Sequence, residues 1–270
     1  MKKKILMTLT ALLLILSVAA VAGCKQDGGE SGSTEKDKLV VATNSEFEPF
    51  EFKKDGEIVG FDIDLIHEIA DKLNMEVELR DMEFDGTVAA VQSGTCKVAI
   101  SGMTITPKRE KSVIFSTPYY ATTQVLITRG DDTVFSADTK EALDEQLKGK
   151  NIGVCAGFTG ESYVKGDEDM GFDGIEDATA TVFDNISLAI AALNNQSIDC
   201  IVMDNTVAKQ ASESAGNEDI KVIDVVLTTE NYAIAINKND EELKQKIDKA
   251  MNELKESGKI DELFEKWEIE

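Results

Sequence analysis

From residue 39 onward the apolar residues of this chain change their spacing again and again, and that alternation restricts the fold more than any other feature of the sequence. Residues 39–43 form a short β-type run, and residues 61–74 then carry Ile63, Ile66, Ile69, Ala70 and Leu73 at helical spacing. Further strands are predicted at 77–81, 98–101, 124–128, 151–155, 179–183, 198–203, 221–225 and 232–236. Helices are predicted among and after them, at 86–92, 140–147, 160–165, 186–194, 206–212, 241–256 and 259–266. Strands alternating with helices mean an α/β protein with sheets covered on both faces. The length allows two such units, one beginning at Leu39 and another near Thr128. The strand at 232–236 and the amphipathic helix after it, capped by Asp240, have no partner left in the second unit. A return to the first unit gives two crossings, the geometry of a hinge that closes a cleft.

The beginning of the chain is of another kind. Lys2, Lys3 and Lys4 precede an apolar run over 5–20, and Val21-Ala22-Gly23-Cys24 follows. This pattern reads as a secretory signal over 1–23, and the run of about 16 residues is short for a bilayer span. Cysteine directly after Val-Ala-Gly resembles the bacterial lipobox, so Cys24 is expected to become a lipid-modified N-terminus. The alternative is an ordinary residue in a plain signal peptide. Residues 24–38 are rich in Gly, Ser, Asp, Glu and Lys without apolar periodicity, which predicts a flexible tether.

The net charge of −23 becomes −26 once the three signal lysines, which no acid accompanies, are removed. Such a charge argues against nucleic acid as a partner. Besides Cys24 the chain has Cys96, Cys155 and Cys200, an odd set without metal-type spacing, and His67 is its single histidine. Buried free thiols are expected, and neither a metal nor another cofactor is. His67 reads as a solvated helix residue, and Trp267 as packing the last helix onto the first unit.

Several stretches together resemble the amino-acid-binding branch of the bacterial extracellular solute-binding proteins, family 3. The most specific is Gly60-Phe61-Asp62-Ile63-Asp64-Leu65, leading into Glu68-Ile69-Ala70. The others are the segment 42–52 with Asn44, Phe47 and Pro49, then Ser101-Gly102-Met103-Thr104-Ile105-Thr106-Pro107-Lys108-Arg109, Phe115-Ser116-Thr117-Pro118-Tyr119-Tyr120 and Gly157-Phe158-Thr159-Gly160. The resemblance spans 39–270. It implies the type 2 periplasmic-binding-protein fold, two α/β lobes joined by a two-crossing hinge, with lobe 1 from 39–120 plus 231–270 and lobe 2 from 121–230. The crossings are then expected near 119–123 and 229–232.

A free amino acid carries a carboxylate and an ammonium on one carbon, so a buried site needs a fork of donors and a carboxylate. The resemblance implies Arg109 as the carboxylate ligand, suited to it by a guanidinium that donates two parallel hydrogen bonds. Without the resemblance Arg109 reads as a surface residue at a helix start. Asp204, at the carboxyl end of the strand 198–203, matches the ammonium ligand, or caps the following helix, or does both. Thr104 would add a hydroxyl and an N–H. Gly102 would let its carbonyl approach the ammonium, unless it serves only a strand-end turn. Ser101 adjoins them. Thr159 of lobe 2 is expected to close on the carboxylate or to cap its helix. Phe47 and Phe84 match aromatic positions around the ligand side chain, or belong to the core. Asn44 matches a position that in some members carries an Asp facing that side chain. Asn44, with Cys155 where relatives often carry a longer polar or basic residue, leaves a polar uncharged ligand side chain as the expectation. Asp62 and Asp64 read as the start of a helix and a complement to its dipole.

The function implied is the substrate-binding component of an ABC importer, not an enzyme. The expectation is a lipid-anchored monomer on the outer face of the cell membrane, periplasmic where an outer membrane exists, that delivers an L-amino acid to a membrane permease. Two alternatives stand beside it. One is a sensing module for a separate receptor; the other is a dehydratase or lytic enzyme of the same fold, for which no Ser-His or Cys-His arrangement is visible.

Overall fold

The structure is a computed structural model, and it describes residues 36–214, 216–217 and 219–269. The expected signal, Cys24 and most of the expected tether lie outside the described residues. The final two tether positions, Asp37 and Lys38, belong to the first strand.

Chain order through the first lobe is β1 (Asp37–Thr43), β2 (Glu46–Phe47), β3 (Glu51–Lys54), β4 (Glu57–Val59), α1 (Phe61–Lys72), β5 (Met75–Asp81), α2 (Phe84–Gln92), β6 (Val98–Ala99), α3 (Pro107–Glu110) and β7 (Val113–Phe115). The second lobe holds β8 (Tyr120–Arg129), α4 (Lys140–Leu147), β9 (Asn151–Cys155), α5 (Thr159–Lys165), β10 (Thr179–Phe183), α6 (Ile186–Asn194), β11 (Cys200–Asp204), α7 (Asn205–Glu213) and β12 (Ile220–Tyr232). The chain then returns with β13 (Ala235–Asn237), α8 (Glu241–Glu256) and α9 (Lys259–Lys266). One five-stranded sheet has the order β5-β1-β6-β13-β7, the other β10-β9-β11-β8-β12. β5, β1 and β6 pair in parallel, as do β10, β9 and β11, whereas β13 pairs antiparallel with β6 and β7, and β8 antiparallel with β11 and β12. A small antiparallel meander, β2-β3-β4, stands apart from both.

The expected strand at 232–236 is divided between the lobes. Tyr232 ends β12 in the second sheet, and Ala235 opens β13 in the first. The two crossings pair with each other: Tyr120 lies opposite Tyr232, Ala121 opposite Asn231 and Thr122 opposite Glu230. This ribbon is packed with aromatic rings, Phe50 lying 5.2 Å from Tyr120 and 5.3 Å from Tyr232. Edge and tilted ring contacts of this kind hold side chains in defined orientations beyond what burial alone supplies. The returning helices lie on α1. Phe264 stacks on Phe61 at 4.5 Å, and Trp267 Nε1 and Lys266 Nζ both donate to Asp64 Oδ2 at 2.6 Å. Trp267 therefore does pack the last helix onto the first lobe, and His67 is exposed on α1. Cys96, Cys155 and Cys200 are buried free thiols.

Candidate functional site

Arg109 sits in α3, a single turn started by Pro107 and capped by Thr106, whose hydroxyl accepts the Arg109 N–H at 3.1 Å. The cap aims the side chain along the face where the lobes meet. Nη1 donates to Thr104 O at 2.6 Å in the same lobe, and Nη2 donates to Gly157 O at 3.0 Å in the other. The guanidinium also lies over the Phe84 ring, 5.1 Å from its centroid, a cation–π arrangement. The residue as a whole is half-buried, yet desolvation of its head lowers its pKa to about 10, against the opposing pull of Glu230, Asp204 and Tyr232. It stays a cation at neutral pH.

Asp204 comes from the second lobe, as the last residue of β11. It stands at the N-cap position of α7 but makes no cap bond there; its carboxylate accepts the Tyr232 hydroxyl instead. Burial first and the nearby Glu230 second push its pKa well above the usual carboxylate range. Thr159 is likewise not a cap: it is the first residue of α5, after Phe158.

Phe47, Phe84, Ser101, Gly102, Thr104, Arg109, Phe158, Thr159 and Asp204 line one small space between the lobes. It adjoins a wider groove bounded by α2 and α3 on one side and α5 on the other, with Phe84, Arg109, Phe158 and Thr159 common to both. Eight of the nine ligand positions expected from the sequence thus meet at one place. Asn44 does not. Its side-chain amide donates to Met82 O at 3.0 Å, and its backbone N–H donates to the Ser101 hydroxyl at 3.0 Å. Ser101 lines the space through its backbone position, while its hydroxyl turns inward and donates to Glu51 Oε1 at 2.7 Å. Gly102 has φ +50, and a Cβ there would lie 2.4 Å from Phe47 Cε1. Glycine is thus required for the Phe47 ring to pack against the segment.

Thr104 differs from its expected chemistry. Its hydroxyl donates to Glu230 Oε2 at 2.7 Å, so that side chain has only acceptor lone pairs left for a ligand. An ammonium fits such an oxygen; a carboxylate does not. Two residues of this site escaped the sequence reading. Glu230 is buried on the crossing strand β12 and also accepts the Thr228 hydroxyl at 2.7 Å. Phe158 reaches from the second lobe to Phe47 at 5.3 Å and Phe84 at 4.5 Å, edge-on to both. The adjacency of Phe158 to Thr159 and the place of Glu230 within the expected crossing were the signals available.

Residues 39–270 match the sequence model of the bacterial extracellular solute-binding proteins, family 3. The chain belongs to that family. This family 3 protein is similar to the arginine-binding extracellular protein ArtP of Bacillus subtilis (strain 168), 32% identical over 98% of this chain and 98% of that protein. Among solved structures it is similar to an ancestral arginine-binding protein bound to arginine, with 38% identity and a TM-score of 0.77 over 86% of this chain and 99% of that one. An ancestral arginine-binding protein bound to glutamine gives 38% identity and a TM-score of 0.76 over 87% and 99%. The family's fold is the type 2 periplasmic-binding architecture, and its members bind solutes outside the cytoplasm.

Proposed function

We propose that this chain is the substrate-binding component of an ABC importer, which captures a free polar L-amino acid between its lobes and delivers it to a membrane permease. Cys24 would carry the lipid that anchors it, as a monomer, to the outer face of the membrane, with residues 24–38 as the tether, 39–120 plus 231–270 as lobe 1 and 121–230 as lobe 2. One observation carries the reading: the Arg109 guanidinium and the Asp204 carboxylate face one small space from opposite lobes. Arg109 would hold the ligand carboxylate, joined by Thr159 on closure. Asp204, the Thr104 oxygen and the Gly102 carbonyl would hold the ammonium, while Phe47, Phe84 and Phe158 surround the side chain. A ligand that touches both lobes stabilises the closed form, the form a permease would read. ArtP is named for arginine, and the ancestral proteins were bound to arginine and to glutamine, which supports a polar ligand side chain.

Calorimetric titration of the protein, purified through unfolding to strip carried ligand, against the twenty amino acids, cystine and ornithine tests the reading. One-to-one binding in the micromolar range or better, about −8 kcal/mol or stronger, is the expected outcome. Silence across the whole panel would sink it. The pH dependence of that affinity has a definite sign. Asp204 has a raised pKa in the free protein and must be ionised to pair with an ammonium, so affinity falls as pH drops through that raised value and levels off above it. Asp204→Asn should weaken binding at least tenfold and remove this acidic limb; a limb that persists in the variant assigns it to another group.

A further inference from the structure

Beneath the first-lobe half of the site lie two acids without a cation. Glu51 opens β3, and Asp62 is the second residue of α1; both are completely buried. No ion pair among the described residues includes either one. Each uses one carboxyl oxygen to hold the segment that lines the ligand space. Glu51 Oε1 accepts the Ser101 hydroxyl at 2.7 Å. Asp62 Oδ2 accepts the Gly102 N–H and the Tyr119 hydroxyl, each at 2.8 Å. The other two oxygens, Glu51 Oε2 and Asp62 Oδ1, are buried and receive no donor from any described residue.

Two adjacent ionised carboxylates, buried and uncompensated, would cost several kcal/mol each. The two orphan oxygens satisfy each other only if a proton lies between them. We propose that Glu51 and Asp62 share one proton, with Glu51 Oε2–H donating to Asp62 Oδ1, and that this acid–carboxylate pair positions the Ser101-Gly102 segment of the ligand site. The electrostatics agree. Burial first and the Asp62 charge second push the Glu51 carboxyl well up, while burial raises Asp62 to about 6 against its bonds from Gly102 and Tyr119. The titratable groups that face the pair are few: Glu51 from β3, Asp62 from α1, and Tyr119 from the segment after β7, whose phenol burial and the two carboxyls hold in its protonated form. The segment after β6 adds only the Ser101 hydroxyl and the Gly102 amide. Asp62 is thus more than a helix start: its carboxylate fixes a glycine on which the Phe47 ring rests.

Loss of the shared proton sets two like charges against each other and drives apart the groups that hold Ser101 and Gly102. Ligand affinity should therefore fall at alkaline pH, a limb opposite in sign to that of Asp204. Stability follows the same proton. Its native pKa is raised above the unfolded carboxyl value of about 4.3, so the stability it contributes is fully present below that value and is lost as pH rises toward the native one.

The binding part of the test rests on the proposed ligand site; the proton itself does not. Infrared spectra of the purified protein at neutral pH should show the C=O stretch of a neutral carboxylic acid, lost in Glu51→Gln. The Gln amide still donates to Asp62, so Glu51→Gln should rescue most of the more than tenfold loss of ligand affinity expected for Glu51→Ala. It should also remove the alkaline limb of binding and lessen the fall of unfolding stability with pH, the remainder coming from the raised Asp204. Absence of the neutral-acid band from the wild type, or the same pH slopes in Glu51→Gln, would overturn the proposal. Should the band be present while no amino acid binds, the shared proton stands and the amino-acid reading falls.

Discussion

Arg109→Ala is expected to leave the fold intact and to remove measurable amino-acid binding. The guanidinium is the cation that lines the space between the lobes, where it is flanked by Asp204 and Glu230. Its removal would leave a bound carboxylate facing two acids and no fork of donors. Loss of one partner from a buried, hydrogen-bonded charge pair costs about 3–5 kcal/mol, or between two and four orders of magnitude in affinity. The structural loss is smaller, since the two bonds to Thr104 O and Gly157 O are ordinary charge-assisted contacts at a half-buried residue. Calorimetry of the variant beside its thermal unfolding curve separates the effects. Arg109→Lys keeps the charge but not the planar fork and should recover only part of the affinity. Unchanged binding in Arg109→Ala would move the carboxylate site elsewhere in the cleft.

The regular parts of the fold were legible because their signals are local. α4, α6 and α8 begin where Thr139, Asn185 and Asp240 accept the N–H groups of Ala142, Leu188 and Leu243, and each cap is visible in the sequence. The meander β2-β3-β4 was not read, although its Asp55-Gly56 turn is a hairpin signal, because its strands have two to four residues and carry too few apolar positions to show a period. β12 extends over 13 residues where five were expected. Its end, Thr228-Thr229-Glu230-Asn231, looks like a loop by polarity alone. Thr228 and Glu230 are nonetheless buried there, since the strand pairs with the other crossing and Glu230 meets hydroxyls from both lobes. The site shows the same division. That Arg109 and Asp204 would line one space was expected from the segments around them. That Glu230 would accept the Thr104 hydroxyl, or that Glu51 would lie against Asp62, depends on contacts between separate segments that no spacing along the chain encodes.

Gly60→Ala should be the most destabilising single-methyl substitution considered for this protein, and should damage the site without touching it. Gly60 has φ +134 and ψ 176, a region open essentially to glycine alone. An added Cβ would lie 2.1 Å from Phe50 O, 2.5 Å from Phe50 C and 2.9 Å from Glu51 N, all of them backbone atoms that have no rotamer to change. Those atoms are tied in place, because Phe61 N–H donates to Pro49 O at 3.0 Å and Asp62 N–H to Phe50 O at 2.9 Å. Relief of the clash must pull the start of α1 away from β3, and so must separate Asp62 from Glu51. Strain of this backbone class costs about 1–3 kcal/mol before any overlap, and overpacking adds about 1–3 kcal/mol more. A loss of about 3 kcal/mol or more in urea unfolding is expected, with weakened ligand binding in whatever fraction stays folded. Gly56→Ala supplies the control, since Gly56 also has positive φ, at +88, but nothing within 4 Å of an added Cβ. It should lose only about 1 kcal/mol, the strain alone. Equal losses in the two variants would show that the approach of Phe50 to Gly60 yields more readily than its backbone bonds imply, and would loosen the link between this glycine and the acid pair.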